Sequence, residues 1–415
     1  MELLDIIAGL ITLCALFSYL NLRYLRLPAT IGVMVISFSV SLLLIALGSM
    51  GVGLTDEATQ AIRGLHFDET LMQWMLGFLL FAGALHIDLS ELMEERLPVA
   101  ILATLGVVSC TALVGGVSYL LFHAVGLNIP LLYCLLFGAL ISPTDPIAVL
   151  GILRQVEAPR SLRVKMAGES LFNDGIGVVV FLVLLDIAVS GHDLSVSGAI
   201  WLFFLEAVGG MVYGLAIGYL AYRMLKSVDN YQVEVLITLA LVMGGYTLAQ
   251  DLHTSGPLAM VVAGLMIGNH GRALAMSETT REHLDTFWEL LDEILNAILF
   301  VLIGFELLVL TFKAPYLIAG LLAVPTVLLS RFLSVGLPMS FLRLRRDTRP
   351  DPHAVKALTW GGLRGGISVA LALSLPAGAE RDALLVVTYV VVAFSIIVQG
   401  LSFGPLLKSL YRTEA

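Results

Sequence analysis

Charge is scarce in this sequence. Asp, Glu, Lys and Arg make up 13 % of its 415 residues, against about 25 % in soluble globular proteins. That leaves too few polar side chains to cover a water-facing surface and excludes a soluble domain. Cysteine is scarcer still. Cys14, Cys110 and Cys134 fall within apolar runs and read as small buried side chains. There is no cysteine cluster, no His-Glu helix pair and no phosphate-binding loop, the constellations a membrane enzyme would need. A filter-like repeat, which would favour a channel, is also missing. The first residues, Met1-Glu2-Leu3-Leu4-Asp5, lack the positive charge of a signal peptide and read as the start of a first span. The sequence ends soon after Tyr411, so no cytosolic regulatory domain is expected.

What the chain has instead is apolar length. Hydrophobic residues make up 58 % and mean hydropathy is +0.95, which marks a polytopic, all-α membrane protein. Runs of about 17–25 residues divide it into thirteen predicted spans. They lie near 4–22, 28–48, 70–87, 98–124, 130–151, 167–190, 197–222, 231–250, 256–270, 287–310, 315–341, 355–376 and 383–408. Loops after odd-numbered spans, with the C-terminal tail, hold 18 of the 23 Lys and Arg residues, and loops after even-numbered spans hold three. By the positive-inside rule the N-terminus is outside, the C-terminus is cytoplasmic, and the location is the cell (inner) membrane. The net charge of −9 matters less than this distribution, and no nucleic-acid partner is expected.

Thirteen divides as six, one and six, so the two halves, spans 1–6 and 8–13, must be inverted if they are structural repeats. Each half has an interruption in its fifth span. Span 5 carries Ser142-Pro143-Thr144-Asp145-Pro146 and span 12 carries Gly361-Gly362-Leu363-Arg364-Gly365-Gly366. Two prolines remove backbone donors from the first, and four glycines make the second easy to unwind. Helices 5 and 12 are therefore predicted to be discontinuous, and matched interruptions are the best sequence pointer to a transport site. Asp145 and Arg364 are placed to neutralise the half-helix ends. Asp145 has a second reading, contact with the transported ion, to which Thr144 would add a hydroxyl.

The densest polar cluster lies in span 6, in Glu169-Ser170-Leu171-Phe172-Asn173-Asp174-Gly175. At about 100° per residue, Glu169, Ser170, Asn173 and Asp174 share one face about 140° wide. An ionisable group in hydrocarbon is a functional-site hypothesis by default. An oxygen-rich cluster of this kind can strip water from a small cation, and its carboxylate can hold a proton instead. Helix capping is the alternative for Glu169, which stands nearest the basic loop ending at Lys165, but suits the deeper Asp174 poorly. Arg331, a lone cation in span 11, needs a partner, and Glu169 is the leading candidate for a structural ion pair. That would leave Asp174 as the carboxylate for which cation and proton compete, with no cofactor required. One carboxylate exchanging one monovalent cation for one proton moves no net charge.

These three motifs, in this order, resemble the cation/proton antiporter 1 family, in its NhaP-like bacterial branch related to animal sodium/proton exchangers. Gly264 to Asn269 and Phe287-Trp288-Glu289-Leu290-Leu291-Asp292-Glu293 resemble it too, and the likeness runs from about residue 15 to 405. It implies exchange of Na⁺ or Li⁺ for H⁺, with K⁺ as the alternative cation. It also implies a homodimer working by an elevator-like displacement. The dimerisation domain would comprise residues 1–97 and, with the linker helix, 191–312; the moving core would comprise 98–190 and 313–415. The cation would be bound by Asp174, Asp145, Asn173, Ser170 and Thr144, with Asp174 also taking the proton. The Asn173-Asp174 pair, in place of two aspartates, would place the chain among electroneutral relatives.

The remaining polar residues have plainer readings. Glu206, Glu234 and Asp251 stand outside the expected core. Glu289, Asp292 and Glu293 share one helix face, either as a cation-concentrating funnel or as a solvated face at a helix N-terminus. His86, His253 and His270 read as interfacial, and 51–68 as an external amphipathic loop.

Overall fold

In hydrocarbon every backbone N–H and C=O must find a partner within the protein, so long apolar runs fold as helices. The computed structural model describes residues 3–50, 75–145, 147–156, 158–190, 196–310, 313–343 and 351–411, and among them all regular structure is helical. The expected loop at 51–68 lies outside the described residues.

The helices follow in order: α1 Leu3–Leu20, α2 Ala29–Ser49, α3 Leu76–Leu85, the short α4 Leu89–Glu94 and α5 Arg96–Ala124. Then come α6 Leu131–Ile141, α7 Ile147–Gln155, α8 Arg160–Ser190, α9 Val196–Leu225 and α10 Tyr231–Asp251. The last are α11 Gly256–Met266, α12 Glu278–Glu306, α13 Ala314–Arg343, α14 Ala354–Trp360, α15 Gly366–Leu373 and α16 Ala379–Tyr411. Eight of them are long and apolar enough to cross a membrane. α3, α11, α9 and α10 pack on one another, as do α2 and α12. A second set joins α5, α6, α13, α16 and α8.

Two helices begin earlier than their hydropathy predicts, and both shifts bear on function. α8 starts at Arg160 and not near 167. Its first turns are too polar to register as membrane, but they are paired: Arg160 with Glu91, Lys165 with Glu95 at 3.2 Å, and Ser161 donating to Glu95 at 2.5 Å. Glu91 and Glu95 lie in and just after α4, whose first turn is capped by Asp88. The Glu91 and Ser90 N–H groups both donate to Asp88 and hold its carboxyl below the ordinary range. Glu169 therefore lies in the third turn of α8 and caps no terminus. α12 likewise starts at Glu278, so Glu289, Asp292 and Glu293 are three turns inside it. Their reading as a helix N-terminus fails for that reason.

Candidate functional site

Two interrupted helices cross at the centre of the site. α6 stops at Ile141 because Pro143 and Pro146 have no N–H to donate, and α7 resumes at Ile147. α14 stops at Trp360 and α15 resumes at Gly366. The segments between the half-helices meet directly, where the Asp145 N–H donates to the Leu363 carbonyl at 2.8 Å. This approach needs a glycine, because a Cβ on Gly365 would stand 2.7 Å from Asp145 Oδ2.

The interruptions free carbonyls, and side chains from elsewhere satisfy them. Arg364, buried at 1 % exposure, donates from Nη1 to Ser142 O at 2.5 Å and to Pro143 O at 2.9 Å. Its guanidinium thus sits on the negative C-terminal end of α6. Its own N–H is taken up by Ser395 Oγ at 2.9 Å, and Gln399 Nε2 donates to Trp360 O at 2.9 Å. Each bond removes an orphan group that hydrocarbon would penalise by several kcal/mol.

α8 runs past the crossing and is pinned to it at Thr144, which both Asn173 and Ser170 engage. Asn173 Oδ1 accepts the Thr144 N–H at 3.3 Å, and Asn173 Nδ2 donates to Thr144 Oγ1 at 2.8 Å. Thr144 Oγ1 and Ser170 Oγ are 2.9 Å apart. Thr144, Ser170 and Asn173 are all buried. One turn before Asn173 on α8, Arg331 Nη1 of α13 donates to Glu169 Oε1 at 2.5 Å, with both side chains buried. Arg331 Nη2 also reaches Leu358 O at 3.4 Å, tying α14 into the same arrangement.

Asp174 is different. It is 4 % exposed, and its Oδ1 is buried with no hydrogen-bond partner among the described residues. Thr144, Asp145 and Asp174 line a cavity of about 330 Å³. Toward its mouth the lining becomes exposed and acidic, with Glu289 and Glu293 at the edge, half-buried Asp292 inside them, and His86 opposite on the end of α3. So the structure gathers Asp174, Asp145, Thr144, Asn173 and Ser170 around the crossing. It sets Glu169 and Arg331 to one side as a pair, and puts Arg364 on the α6 carbonyls.

A family model described as sodium/hydrogen exchanger, transmembrane, matches residues 10–409. The chain belongs to this family. Among members of the sodium/hydrogen exchanger family, the Na⁺/H⁺ antiporter NhaP of Pseudomonas aeruginosa is 52 % identical over 415 residues, covering 99 % of this chain and 98 % of that protein. The Na⁺/H⁺ antiporter NhaH of Halobacillus dabanensis is 36 % identical over 350 residues, covering 83 % and 84 %. The sodium proton antiporter MjNhaP1 of Methanocaldococcus jannaschii, solved at pH 8, matches in fold with a TM-score of 0.77 at 22 % identity, covering 99 % of both chains.

The exchanger fold also brings in residues that sequence reading overlooked. Asn296 of α12 and Ser368 of α15 line the cavity. Ser395 and Gln399 of α16 satisfy the second interruption. Asn296 had a signal, being a lone amide in the apolar run Ile294 to Phe300 and four residues beyond Asp292. Gln399 stands out in the same way in the last apolar run.

Proposed function

We propose that this chain is a secondary antiporter that exchanges Na⁺ for H⁺ across the cell membrane, with Asp174 holding one or the other. The observation that carries this reading is a buried carboxylate oxygen without a partner among the described residues, at the inner end of a cavity with an acidic mouth. Its neighbours Thr144, Ser170 and Asp145 supply further oxygens, the ligand type a hard monovalent cation requires, and Asn173 positions Thr144. Burial favours the protonated carboxyl and a bound cation favours the ionised one, so the two occupants exclude each other. Exchange is coupled if the site reorients when occupied and not when empty.

The architecture we assign has thirteen crossings, with two inverted six-helix repeats and a linker helix between them. The helices of residues 98–190 and 313–415 would move as a core against a dimerisation domain formed from 1–97 and 191–312. The two packing sets of helices, the paired interruptions and the fold likeness support this division. With the N-terminus outside, the acidic mouth opens to the cytoplasm. Glu169 and Arg331 hold α8 to α13 and leave the ion site uncharged apart from its own carboxylates and the capping Arg364. The protein is expected to act as a homodimer.

The test is proton efflux from acid-loaded proteoliposomes on addition of Na⁺, Li⁺ or K⁺, with and without an imposed membrane potential. The expected result is efflux driven by Na⁺ or Li⁺, unaffected by the potential and abolished in Asp174→Asn. A potential of 100 mV is worth about 2.3 kcal/mol per net charge moved, so dependence on it would refute one-for-one exchange. Efflux driven by K⁺ alone would reassign the cation, and full activity in Asp174→Asn would make that residue structural.

A further inference from the structure

α12 carries a polar ladder from the mouth of the cavity to its buried end. Glu289 and Glu293 are exposed, Asp292 is half-buried, and Asn296, one turn deeper, is 2 % exposed. All four line the cavity that ends at Asp145 and Asp174.

The orientation of the Asn296 amide is chemically fixed. Nδ2 donates to the Asp292 carbonyl at 2.8 Å and to the Asp292 carboxylate at 3.1 Å. Turning the amide over would set its oxygen against both acceptors. Oδ1 is therefore the free end, and it is buried without a hydrogen-bond partner among the described residues. Native proteins rarely leave such an atom unsatisfied, and each case asks for an unseen water or ion. Ser368 Oγ, 1 % exposed in the first turn of α15, lines the same cavity and is likewise without a partner among the described residues.

We propose that the Asp292 carboxylate and Asn296 Oδ1 form a second cation station on α12, which takes the ion from the acidic mouth and passes it to Asp174. This proposal rests on the exchange reading above. A carboxylate beside an amide oxygen is a fitting pair for a partly dehydrated monovalent cation, since hard cations take oxygen ligands. α12 packs chiefly on α1, α2, α3 and α10 and only lightly on α15, so in an elevator movement the station stays behind while Asp174 travels. It therefore serves the face onto which the cavity opens and not the opposite one.

Asp292→Asn and the nearly isosteric Asn296→Leu test this in vesicles of known orientation. Loss of a charge-assisted ligand predicts an apparent KM for Na⁺ raised about tenfold from the mouth side. The maximal rate should fall much less, and KM from the opposite side should stay at the wild-type value. A purely structural role would lower the rate equally from both sides, and that result, or an unchanged KM in both variants, would overturn the station. Binding provides a measurement independent of transport. In detergent, Asp174→Asn should keep a weakened Na⁺-dependent rise in Tm that Asp174→Asn/Asn296→Leu loses. Absence of that residual rise would overturn the proposal, whereas a wild type without Na⁺-driven efflux would overturn the exchange reading itself.

Discussion

Glu169 and Asp174 are five residues apart on one helix, yet their surroundings ask different things of them. Glu169 faces a guanidinium at 2.5 Å and is held as one half of a buried pair, while Asp174 leaves an oxygen without a donor among the described residues. A buried pair adds little net stability, but breaking it strands a charge at about 3–5 kcal/mol. Glu169→Gln is therefore expected to lower thermal stability in detergent strongly. Glu169→Met/Arg331→Met should recover most of the loss, because neither charge is left alone. A double variant as unstable as the summed singles would argue against the pairing. At this scale much was legible in the sequence: a lone Arg331 in an apolar span demands a carboxylate, and few buried carboxylates stand available. The role of Asn173 was not legible. Its amide spends both ends on Thr144, which only the meeting of two distant segments reveals.

At the level of elements, the site is a crossing of two broken helices bound backbone to backbone through Asp145 and Leu363. Pro143, Pro146 and the four glycines announced both interruptions, because chain chemistry alone prevents regular helix there. What they did not announce was how the freed carbonyls are satisfied, since Gln399 and Ser395 come from the last helix and have no sequence relation to the motif. The helix starts were misplaced for a physical reason. Hydropathy marks the apolar part of a helix, not where it begins, and the first turns of α8 and α12 are polar. Gly365→Ala would put a methyl group against the Asp145 carboxylate. Overpacking at such a contact costs on the order of 1–3 kcal/mol. The variant is expected to insert in the membrane with wild-type yield and to lose most cation-driven efflux. Wild-type transport would show that the two interruptions can separate without harm.

For the whole molecule, the distribution of basic residues, the paired interruptions and the cluster on α8 point to one cycle. A membrane protein that couples two gradients through one carboxylate needs no energy source beyond those gradients. It needs only that both occupants cannot bind together. Overall helix content and the order of the motifs were readable from hydropathy and turn chemistry. The cavity was not, because its lining comes from α3, α7, α8, α12 and α15 and depends on how they pack. Competition at Asp174 is the central claim, and the dependence of transport on pH tests it most directly. Na⁺-driven efflux would be measured over a range of Na⁺ concentrations at successive pH values. The account predicts an apparent KM for Na⁺ that rises about tenfold for each unit of acidification on the acid limb, at constant maximal rate. A KM that holds steady while the maximal rate falls would mean that proton and cation occupy separate sites, and would contradict it.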